Sequence, residues 1–255
     1  MEQIKNIVLR ESRGDCRKMA KRYSPPMISV VIPTFNAEAT LGPTLAALVP
    51  AVVHGVVREA IIADGGSTDA TCAIAEAAGT HLVEAERGRG TQLDAGAAMA
   101  RGDWLLFLHA DTVLEPSWVE EARSFIERVE TGRRAHAAAS FSFALDDDGI
   151  MPRLLEALVH LRCLVFGLPY GDQGLLISRR LYDRLGGFRP LPLMEDVDLV
   201  RRLKRRELVM LKSRAVTSGE RYRREGYLLR SLRNLACILL YYLRVPPRVL
   251  VRLYG

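Results

Sequence analysis

Acidic side chains follow apolar runs at three separate places in the sequence. Residues 104–108 form an apolar run that stops at His109 and Asp111, and Asp64 follows a second run in the same way. A third acidic group stands at residues 195–198. Short apolar runs are typical of buried strands, and open α/β sheets place ligand and metal sites at the carboxyl ends of their strands. The pattern therefore predicts a metal-assisted site for a phosphorylated substrate.

His109 and Asp111 are the candidate metal ligands. In an extended segment, side chains two positions apart point to the same side, so both can face one ion. The Asp111 carboxylate and the His109 imidazole suit Mn²⁺, whereas Mg²⁺ prefers oxygen ligands and water. The alternative is a histidine near the core beside an aspartate that caps a helix.

The turn that begins at Asp64 predicts a backbone that binds a ligand. Gly65 and Gly66 allow a ligand to approach closely, and Ser67 or Thr68 can cap a following helix, whose N-terminus attracts anions. Asp64 itself could accept hydrogen bonds from a base or a ribose. The same residues also suit a tight βα turn without a ligand.

The segment at residues 86–92 is rich in glycine and arginine. Glycines let the chain approach a ligand, and the guanidinium groups of Arg87 and Arg89 can bind a diphosphate through paired hydrogen bonds. The segment is not a dinucleotide-binding loop, because Leu93 replaces the third glycine, and it is not a Walker loop. A solvated basic turn is the alternative.

Two further segments carry candidate catalytic and acceptor-binding groups. Glu195, Asp196 and Asp198 open a helix predicted over residues 195–206, where the macrodipole favours one carboxylate by roughly 0.3–1 kcal/mol. Three carboxylates in four residues repel one another, which indicates that one of them faces a cation or performs acid–base chemistry. Asp172 and Gln173 lie between an apolar helix and a strand and could bind acceptor hydroxyls, although such a segment is more often only a turn.

Short strands and helices alternate through the first half of the chain. This alternation predicts an α/β fold of Rossmann type, in which helices flank a mostly parallel sheet. Residues 1–26 are expected to form a poorly ordered leader or a short helix, and residues 27–219 one domain. Within it, residues 27–113 form the nucleotide-binding half and residues 114–219 the acceptor half. Residues 220–255 are predicted to be a C-terminal helical extension with a basic, amphipathic character.

The charge distribution restricts the class of partner. The 255 residues carry a formal net charge of +6, and the tail from residue 220 holds eight arginines against two glutamates. No nucleic-acid partner is expected, since such proteins spread basic groups over a face with aromatic residues. Apolar Leu228, Leu232, Leu235 and Leu239 recur near helical spacing, which suits a peripheral membrane contact. Packing of this helix onto the domain, or a solvated helix face, are the alternatives.

Few features of the sequence bear on localisation. The four cysteines form no Cys-x-x-Cys pair, which is typical of free thiols in a reducing compartment. Residues 1–26 lack the apolar core of a secretory signal. The apolar run at residues 235–243 is far shorter than the roughly 20 residues that span a bilayer. The protein is therefore expected in the cytoplasm, where its tail can contact the inner face of the membrane.

Six of these segments, taken in order, resemble family 2 glycosyltransferases with a GT-A fold. The order and spacing are similar over about residues 27–210. Residues 168–174 further resemble the subgroup described as radical-SAM/selenodomain-associated glycosyltransferases. The segments that carry the family resemblance are residues 30–36, 64–69, 87–90, 107–111, 186–188 and 195–199.

The resemblance implies roles for individual residues. Asp111 would meet the Mn²⁺ or Mg²⁺ ion that bridges the diphosphate of the donor, and His109 replaces the first aspartate of the family's Asp-x-Asp motif. Asp196 matches the catalytic base of inverting members, with Glu195 beside it. Ala37 stands where many members carry glutamate. The residues implied in binding the nucleotide sugar are Pro33, Thr34, Phe35, Asp64, Arg87, Gly90, Ala110 and Asp111.

The sequence as a whole therefore predicts an inverting glycosyltransferase. A sugar would move from a UDP- or GDP-linked donor to a hydroxyl of a small-molecule or lipid acceptor, with Asp196 as the general base. A non-catalytic protein that binds nucleotide sugars is the main alternative. A sugar-phosphate nucleotidyltransferase is less favoured, because residues 33–36 stand where such enzymes carry a glycine-rich loop with a basic residue.

Overall fold

A computed structural model describes residues 27–135 and 137–254, and the predicted leader at residues 1–26 lies outside the described residues. The strands of one mixed sheet are Ile28–Thr34 (β1), Val57–Asp64 (β2), His81–Glu84 (β3), Trp104–Phe107 (β4), Thr112–Leu114 (β5), Ala138–Asp146 (β6), Leu175–Ser178 (β7) and Leu208–Ser218 (β8). Their order across the sheet is β3-β2-β1-β4-β7-β6-β8-β5.

The sheet is parallel in its first half and mixed in its second. Strand β1 pairs in parallel with β2 and β4, and β2 pairs in parallel with β3. Strand β7 is antiparallel to β4 and β6, and β5 is antiparallel to β8, whereas β6 and β8 run parallel. The carboxyl ends of β1, β2 and β4 therefore meet at one edge, where Thr34 lies opposite Asp64.

Helices cover both faces of the sheet, as the sequence predicts. The helices of the described residues are Glu38–Ala46 (α1), Val49–Val53 (α2), Thr71–Ala77 (α3), Arg89–Met99 (α4), Trp118–Glu130 (α5), Ile150–Phe166 (α6), Arg179–Leu185 (α7), Glu195–Arg201 (α8), Glu220–Glu225 (α9), Tyr227–Tyr242 (α10) and Pro247–Tyr254 (α11). Short 3₁₀ turns occupy Gly171–Gln173 and Arg205–Glu207.

The apolar residues of β1 form a continuous run because both faces of the strand are buried. Val30 packs into the same core cluster as Trp118 and Phe125, whereas Val31 packs into the cluster on the opposite face with Leu93. Successive side chains of a strand point to opposite faces, so a strand covered on both sides must be apolar at every position. The site residues that follow β1 and β4 are thereby attached to the most rigid part of the fold.

Two local predictions are wrong. The helix predicted over residues 195–206 ends at Arg201. The predicted caps Ser67 and Thr68 do not cap α3, because the Ser67 hydroxyl donates to Oδ1 of Asp64 at 2.6 Å. Helix α3 begins later, and Oδ1 of Asp69 accepts the backbone N–H of Thr71 at 3.0 Å.

The C-terminal extension packs onto the domain in two apolar clusters. Cys237 and Leu250 pack against Leu193, Met194 and Val197, which surround the start of α8. The apolar stripe predicted for α10 lies on another face, because Leu228, Leu232, Leu235 and Leu239 are 70, 56, 54 and 55% exposed. No helix within the described ranges is long and apolar enough to cross a bilayer.

Candidate functional site

A cleft opens at the edge of the sheet where β1, β2 and β4 end. We call it the donor cleft. Its cavity volume is about 740 Å³, and its walls include the predicted nucleotide-binding residues Pro33, Thr34, Phe35, Arg87 and Ala110. This volume is typical of ligand sites, which occupy roughly 300–1,000 Å³.

A smaller space, the inner cavity, continues from the donor cleft. Its volume is about 110 Å³, and Asp172 and Asp196 lie in its wall. Arg89, His109 and Asp111 line both spaces and so mark their junction. The structure thus brings together the predicted metal ligands and the predicted base, which are far apart in the sequence.

Three hydrogen bonds fix the backbone of residues 108–111, which contain His109 and Asp111. The N–H of Leu108 donates to the carbonyl of Val31 at 3.0 Å, and the N–H of Ser218 donates to the carbonyl of Asp111 at 3.2 Å. The hydroxyl of Thr44 donates to the carbonyl of Ala110 at 2.9 Å. The direction of the His109 and Asp111 side chains therefore depends on β1, α1 and the end of β8.

Asp196 is fixed by two backbone donors. Its Oδ2 accepts the N–H of Gly171 at 2.6 Å, and its Oδ1 accepts the N–H of Val197 at 2.7 Å. A Cβ atom at position 171 would lie 2.5 Å from Nε2 of His109 and 3.3 Å from Oδ2 of Asp196. Glycine at position 171 therefore leaves room for the His109 ring beside Asp196.

The three carboxylates of α8 have different surroundings. Asp198 forms ion pairs with Arg189 at 3.1 Å and Arg202 at 2.9 Å, which attach α8 to the preceding loop. Glu195 is 1% exposed, and burial together with neighbouring Asp196 raises its pKa to about 7. Of the three, Asp196 is the carboxylate in the wall of the inner cavity.

Arg89 supplies the positive charge of the junction. Burial works against its guanidinium, but the carboxylates of Glu195, Asp196 and Asp111 outweigh burial and raise the pKa of Arg89 above its ordinary value. Burial and this guanidinium lower the pKa of His109 to about 4, against the opposing effect of Asp111. His109 is therefore a neutral imidazole at physiological pH.

An arginine–aromatic contact stands in the donor cleft. The guanidinium carbon of Arg87 lies 3.8 Å from the centre of the Phe35 ring. The Gln92 amide holds the backbone below, since its Nε2 donates to the carbonyls of Thr34 at 2.7 Å and Ala63 at 2.8 Å. Arg87 and Phe35 together offer a flat surface against which a nucleobase can stack.

Four hydrogen bonds hold the Asp64 carboxylate at the end of β2. Thr34 and Ser67 hydroxyls donate to its Oδ1 at 2.8 and 2.6 Å, and the N–H groups of Gly66 and Ser67 donate to its Oδ2. Burial would raise the pKa of Asp64, but these hydrogen bonds lower it below its ordinary value. A contact between Asp64 and a nucleobase stays a prediction. It would require the nucleobase to replace one of these four hydrogen-bond donors.

The structure gives Gly90 a different role from the predicted ligand contact. Gly90 is buried, and its N–H donates to the carbonyl of Leu191 at 3.1 Å. A Cβ atom there would overlap the carbonyl oxygen of Arg189 and lie 2.8 Å from the nitrogen of Leu191. Gly90 therefore allows α4 to touch the loop that leads to α8.

We expect Gly90→Ala to lower the free energy of unfolding by about 1–3 kcal/mol, the usual cost of an overpacked site. Thermal denaturation measures this change. Gly42→Ala is the matched control, because nothing lies within 4 Å of a Cβ atom at that helical position. Equal melting temperatures for the two variants would contradict the packing role of Gly90.

The predicted acceptor contact of Gln173 is wrong. Gln173 is buried, and its Nε2 donates to the carbonyl of Phe141 at 3.0 Å. Its Oε1 accepts from the Arg162 guanidinium at 3.1 Å and from the N–H of Tyr170 at 3.3 Å. Its side chain thus fixes the 3₁₀ turn, whereas Asp172 beside it lies in the wall of the inner cavity.

Sequence reasoning missed two residues at the junction. Arg221 and Tyr254 line both the donor cleft and the inner cavity. Both belong to the C-terminal extension, for which the sequence predicted a membrane contact, with packing onto the domain as the alternative, but no contact with the site. A pattern within one segment contains no signal for a contact of this kind, because it depends on how α11 folds back over the domain.

Comparisons with known proteins agree with this architecture. Residues 29–174 match the profile of glycosyl transferase family 2. The glucosyl-3-phosphoglycerate synthase of Mycolicibacterium paratuberculosis is 37% identical over 95 residues, which are 34% of this chain and 29% of the relative. A PGL/p-HBAD biosynthesis glycosyltransferase of Mycobacterium bovis is 35% identical over 102 residues, which are 35% of this chain and 37% of the relative.

A solved structure extends the likeness to most of the fold. Glucosyl-3-phosphoglycerate synthase from Mycobacterium tuberculosis, in complex with Mn²⁺, UDP-glucose and phosphoglyceric acid, superposes with a TM-score of 0.59. It is 22% identical, and the match covers 89% of this chain and 83% of that chain. This likeness shows a shared GT-A architecture, while the similarity of residues 168–174 to a particular subgroup stays a prediction. Because the family profile covers more than half of the sequence, the chain belongs to glycosyl transferase family 2.

Proposed function

We propose that this protein is an inverting glycosyltransferase that moves a sugar from a UDP-linked donor to an acceptor hydroxyl. The observation that carries the proposal is the junction at which Asp111, Arg89 and Asp196 meet between the donor cleft and the inner cavity. A diphosphate in the donor cleft would place its sugar next to this junction. The inner cavity would hold the acceptor beside Asp196.

The donor half of the proposal rests on the walls of the cleft. Phe35 and Arg87 would stack against the base, and Arg89 and Arg221 would neutralise the diphosphate through paired hydrogen bonds. The structure of the Mycobacterium tuberculosis glucosyl-3-phosphoglycerate synthase contains UDP-glucose, which supports a UDP-linked sugar as the donor. A GDP-linked donor is the competing case, and a panel of nucleotide sugars separates the two.

The residues at the junction fit a divalent cation. Asp111 offers a hard carboxylate, and His109 is in the neutral form that metals bind. Residues 27–135 and 137–254 contain no cluster of three His, Cys, Asp or Glu side chains able to hold a metal. Asp111 and His109 would therefore share the ion with phosphate oxygens and water, as is common for Mg²⁺ sites. Such an ion supplies charge neutralisation for the leaving diphosphate.

Asp196, in the wall of the inner cavity, would act as the general base. It would take the proton of the acceptor hydroxyl while the acceptor oxygen bonds to the anomeric carbon. The bond between that carbon and the diphosphate oxygen breaks at the same time, and its electrons stay on the diphosphate. Arg89 and Arg221 face the developing negative charge, so this stabilisation needs no rearrangement during the reaction.

We expect Asp111→Ala to remove the Mn²⁺-dependent part of UDP binding. The loss of a direct ligand should cost more than the roughly 10–100-fold that changes around metal ligands cost. Titration calorimetry of UDP with and without Mn²⁺ measures the effect, with Asp183→Ala, an exposed position on α7, as control. An unchanged UDP affinity in the presence of Mn²⁺ would remove Asp111 from the proposed metal site.

We also propose a peripheral membrane contact through residues 220–255. Beside the exposed leucines of α10, the exposed residues Met151, Leu154, Leu158, Leu161 and Val165 form a second apolar stripe on α6. Helix α10 contains no acidic residue, and the exposed residues Arg224 and Arg244 flank it. Apolar side chains next to arginines suit the headgroup region of an anionic lipid surface, whereas a second copy of the chain would bring like charges together.

We expect the protein to float with vesicles that contain anionic lipid and to bind neutral vesicles much more weakly. The double variant Leu232→Glu/Leu235→Glu should lose this binding, because it places charge in the apolar stripe. Ser231→Ala on the same helix is the control. Equal recovery of the double variant and the wild type with anionic vesicles at low salt would exclude this surface.

A further inference from the structure

The C-terminal extension forms part of the wall of the inner cavity. Tyr222, Asn234 and Tyr254 come from three successive helices of the extension and all line this cavity. All three lie beyond residues 29–174, the part that matches the family profile. The cavity of about 110 Å³ has room for several water-sized groups, roughly one six-membered ring with its substituents.

Two oxygen atoms in the cavity wall lack the hydrogen bonds that buried oxygens normally make. Oδ1 of Asp172 and Oδ1 of Asn234 are buried, and neither has a donor within the described part of the chain. The amide nitrogen of Asn234 is already committed, since it donates to the Tyr222 hydroxyl at 3.3 Å. Buried acceptors without partners are costly, so both atoms indicate a ligand that brings hydroxyl donors.

The three arginines that line this cavity, Arg89, Arg221 and Arg230, are matched in number by Asp111, Asp172 and Asp196 in the same wall. Arg230 is 4% exposed, and its guanidinium lies 3.4 Å from the carboxylate of Glu225. It also stacks on the Tyr254 ring, at 4.4 Å from the ring centre, and donates to the Tyr254 carbonyl at 3.3 Å. Because Arg230 fixes the end of α11 in this way, it is a poor partner for an anionic ligand.

Aromatic rings supply the apolar part of the wall. Tyr170 lies on the side of the 3₁₀ turn, and Tyr222 and Tyr254 lie on the side of the extension. The guanidinium of Arg162 covers one face of Tyr170, at 3.3 Å from the ring centre, and holds that ring in place. Rings with a few polar groups between them suit a ligand that has apolar C–H faces and hydroxyl edges.

We infer that the C-terminal extension completes the acceptor site, and that the acceptor is an uncharged polyhydroxylated ring such as a sugar or a cyclitol. Two of its hydroxyls donate to Oδ1 of Asp172 and Oδ1 of Asn234, while a third reaches Asp196. This inference rests on the proposed transferase function and names its acceptor class. It differs from the phosphoglyceric acid that the structurally similar synthase holds.

The test compares acceptors and variants in one assay of UDP release. Wild-type protein with Mn²⁺ and the UDP-sugar that it hydrolyses fastest is given myo-inositol, methyl glucoside or 3-phosphoglycerate. We expect the uncharged compounds to raise the rate in a saturable manner and 3-phosphoglycerate to have a much smaller effect. A preference for 3-phosphoglycerate overturns the inference.

Variants at position 234 separate a binding role from a structural one. Asn234→Leu should raise KM for the uncharged acceptor about tenfold, the effect of one lost hydrogen bond, with a much smaller change in kcat at saturating acceptor. Asn234→Asp keeps an acceptor oxygen and should restore most of the affinity, and Ser231→Ala serves as control. An unchanged KM in Asn234→Leu overturns the inference while donor hydrolysis still supports the transferase. If the wild-type protein neither hydrolyses nor transfers the sugar of any UDP-sugar, both the acceptor inference and the proposed transferase function are overturned.

Discussion

Asp196→Asn is expected to lower kcat by roughly 10²–10⁴-fold, the usual contribution of a general base. The amide cannot take the proton of the acceptor hydroxyl at neutral pH. Its oxygen can still accept the N–H of Gly171, which donates to Oδ2 of Asp196 at 2.6 Å in the wild type. The N–H of Val197, which donates to Oδ1 at 2.7 Å, loses its acceptor. Because the contact to Gly171 is kept and the side chain has the same size, most of the affinity for UDP should be retained.

Initial rates and calorimetry on the same preparation separate these effects. Asp183→Asn, a change of the same kind at an exposed position of α7, should match the wild type in both measurements. A kcat within threefold of the wild-type value in Asp196→Asn would be incompatible with its role as the base. Loss of UDP binding in parallel with kcat would instead show that Asp196 holds the site together.

Arg89→Met is expected to have the second large effect, a loss of roughly 10²–10³-fold in kcat with weaker UDP binding. The change removes the positive charge that Glu195, Asp196 and Asp111 share. The free energy of unfolding should fall by about 1–3 kcal/mol, because the buried carboxylates lose a compensating positive charge. Arg89→Lys keeps the charge but not the planar pair of donors, so it should recover stability better than activity.

The matched control for Arg89 is Arg180→Met, since Arg180 is exposed on α7. Steady-state rates, UDP titration and thermal denaturation together give the comparison. If Arg89→Met turns over at the wild-type rate, the diphosphate is neutralised by other groups. In that case the junction would need Arg221 or the cation alone to stabilise the leaving group.

The first half of the fold and much of the donor cleft were predictable from the sequence. The apolar runs within β1, β2 and β4 are largely buried, and a polar residue follows each of them. The residues after such strands must lie at one edge of a parallel sheet. Thr34, Asp64 and His109 were therefore placed in the correct region without knowledge of the packing.

The second half was harder because its strands depend on distant partners. Strand β8 mixes charged and apolar residues, including Lys212 and Arg214, and it gives no clear strand pattern. It is a strand because it pairs in parallel with β6 and antiparallel to β5. Its end then fixes Asp111 through the N–H of Ser218, a contact that no local pattern contains.

Side-chain direction also could not be predicted from residue type. Gln173 and Asp172 are neighbours with similar polarity, yet Gln173 points into the core and Asp172 lines the inner cavity. Gly90 was predicted to approach a ligand, and it approaches residues 189–191 instead. In each case the deciding contact comes from another part of the chain.

The most direct test of the central claim is the configuration of the sugar that the protein first releases. The UDP-sugar that it hydrolyses fastest is mixed with protein and Mn²⁺, and proton NMR follows the anomeric signals before they equilibrate. Attack from the face of Asp196, opposite to the diphosphate, predicts that the first anomer has the configuration inverted relative to the donor. It also predicts that Asp196→Asn does not form it. Release of the anomer with retained configuration would contradict the mechanism proposed for this junction.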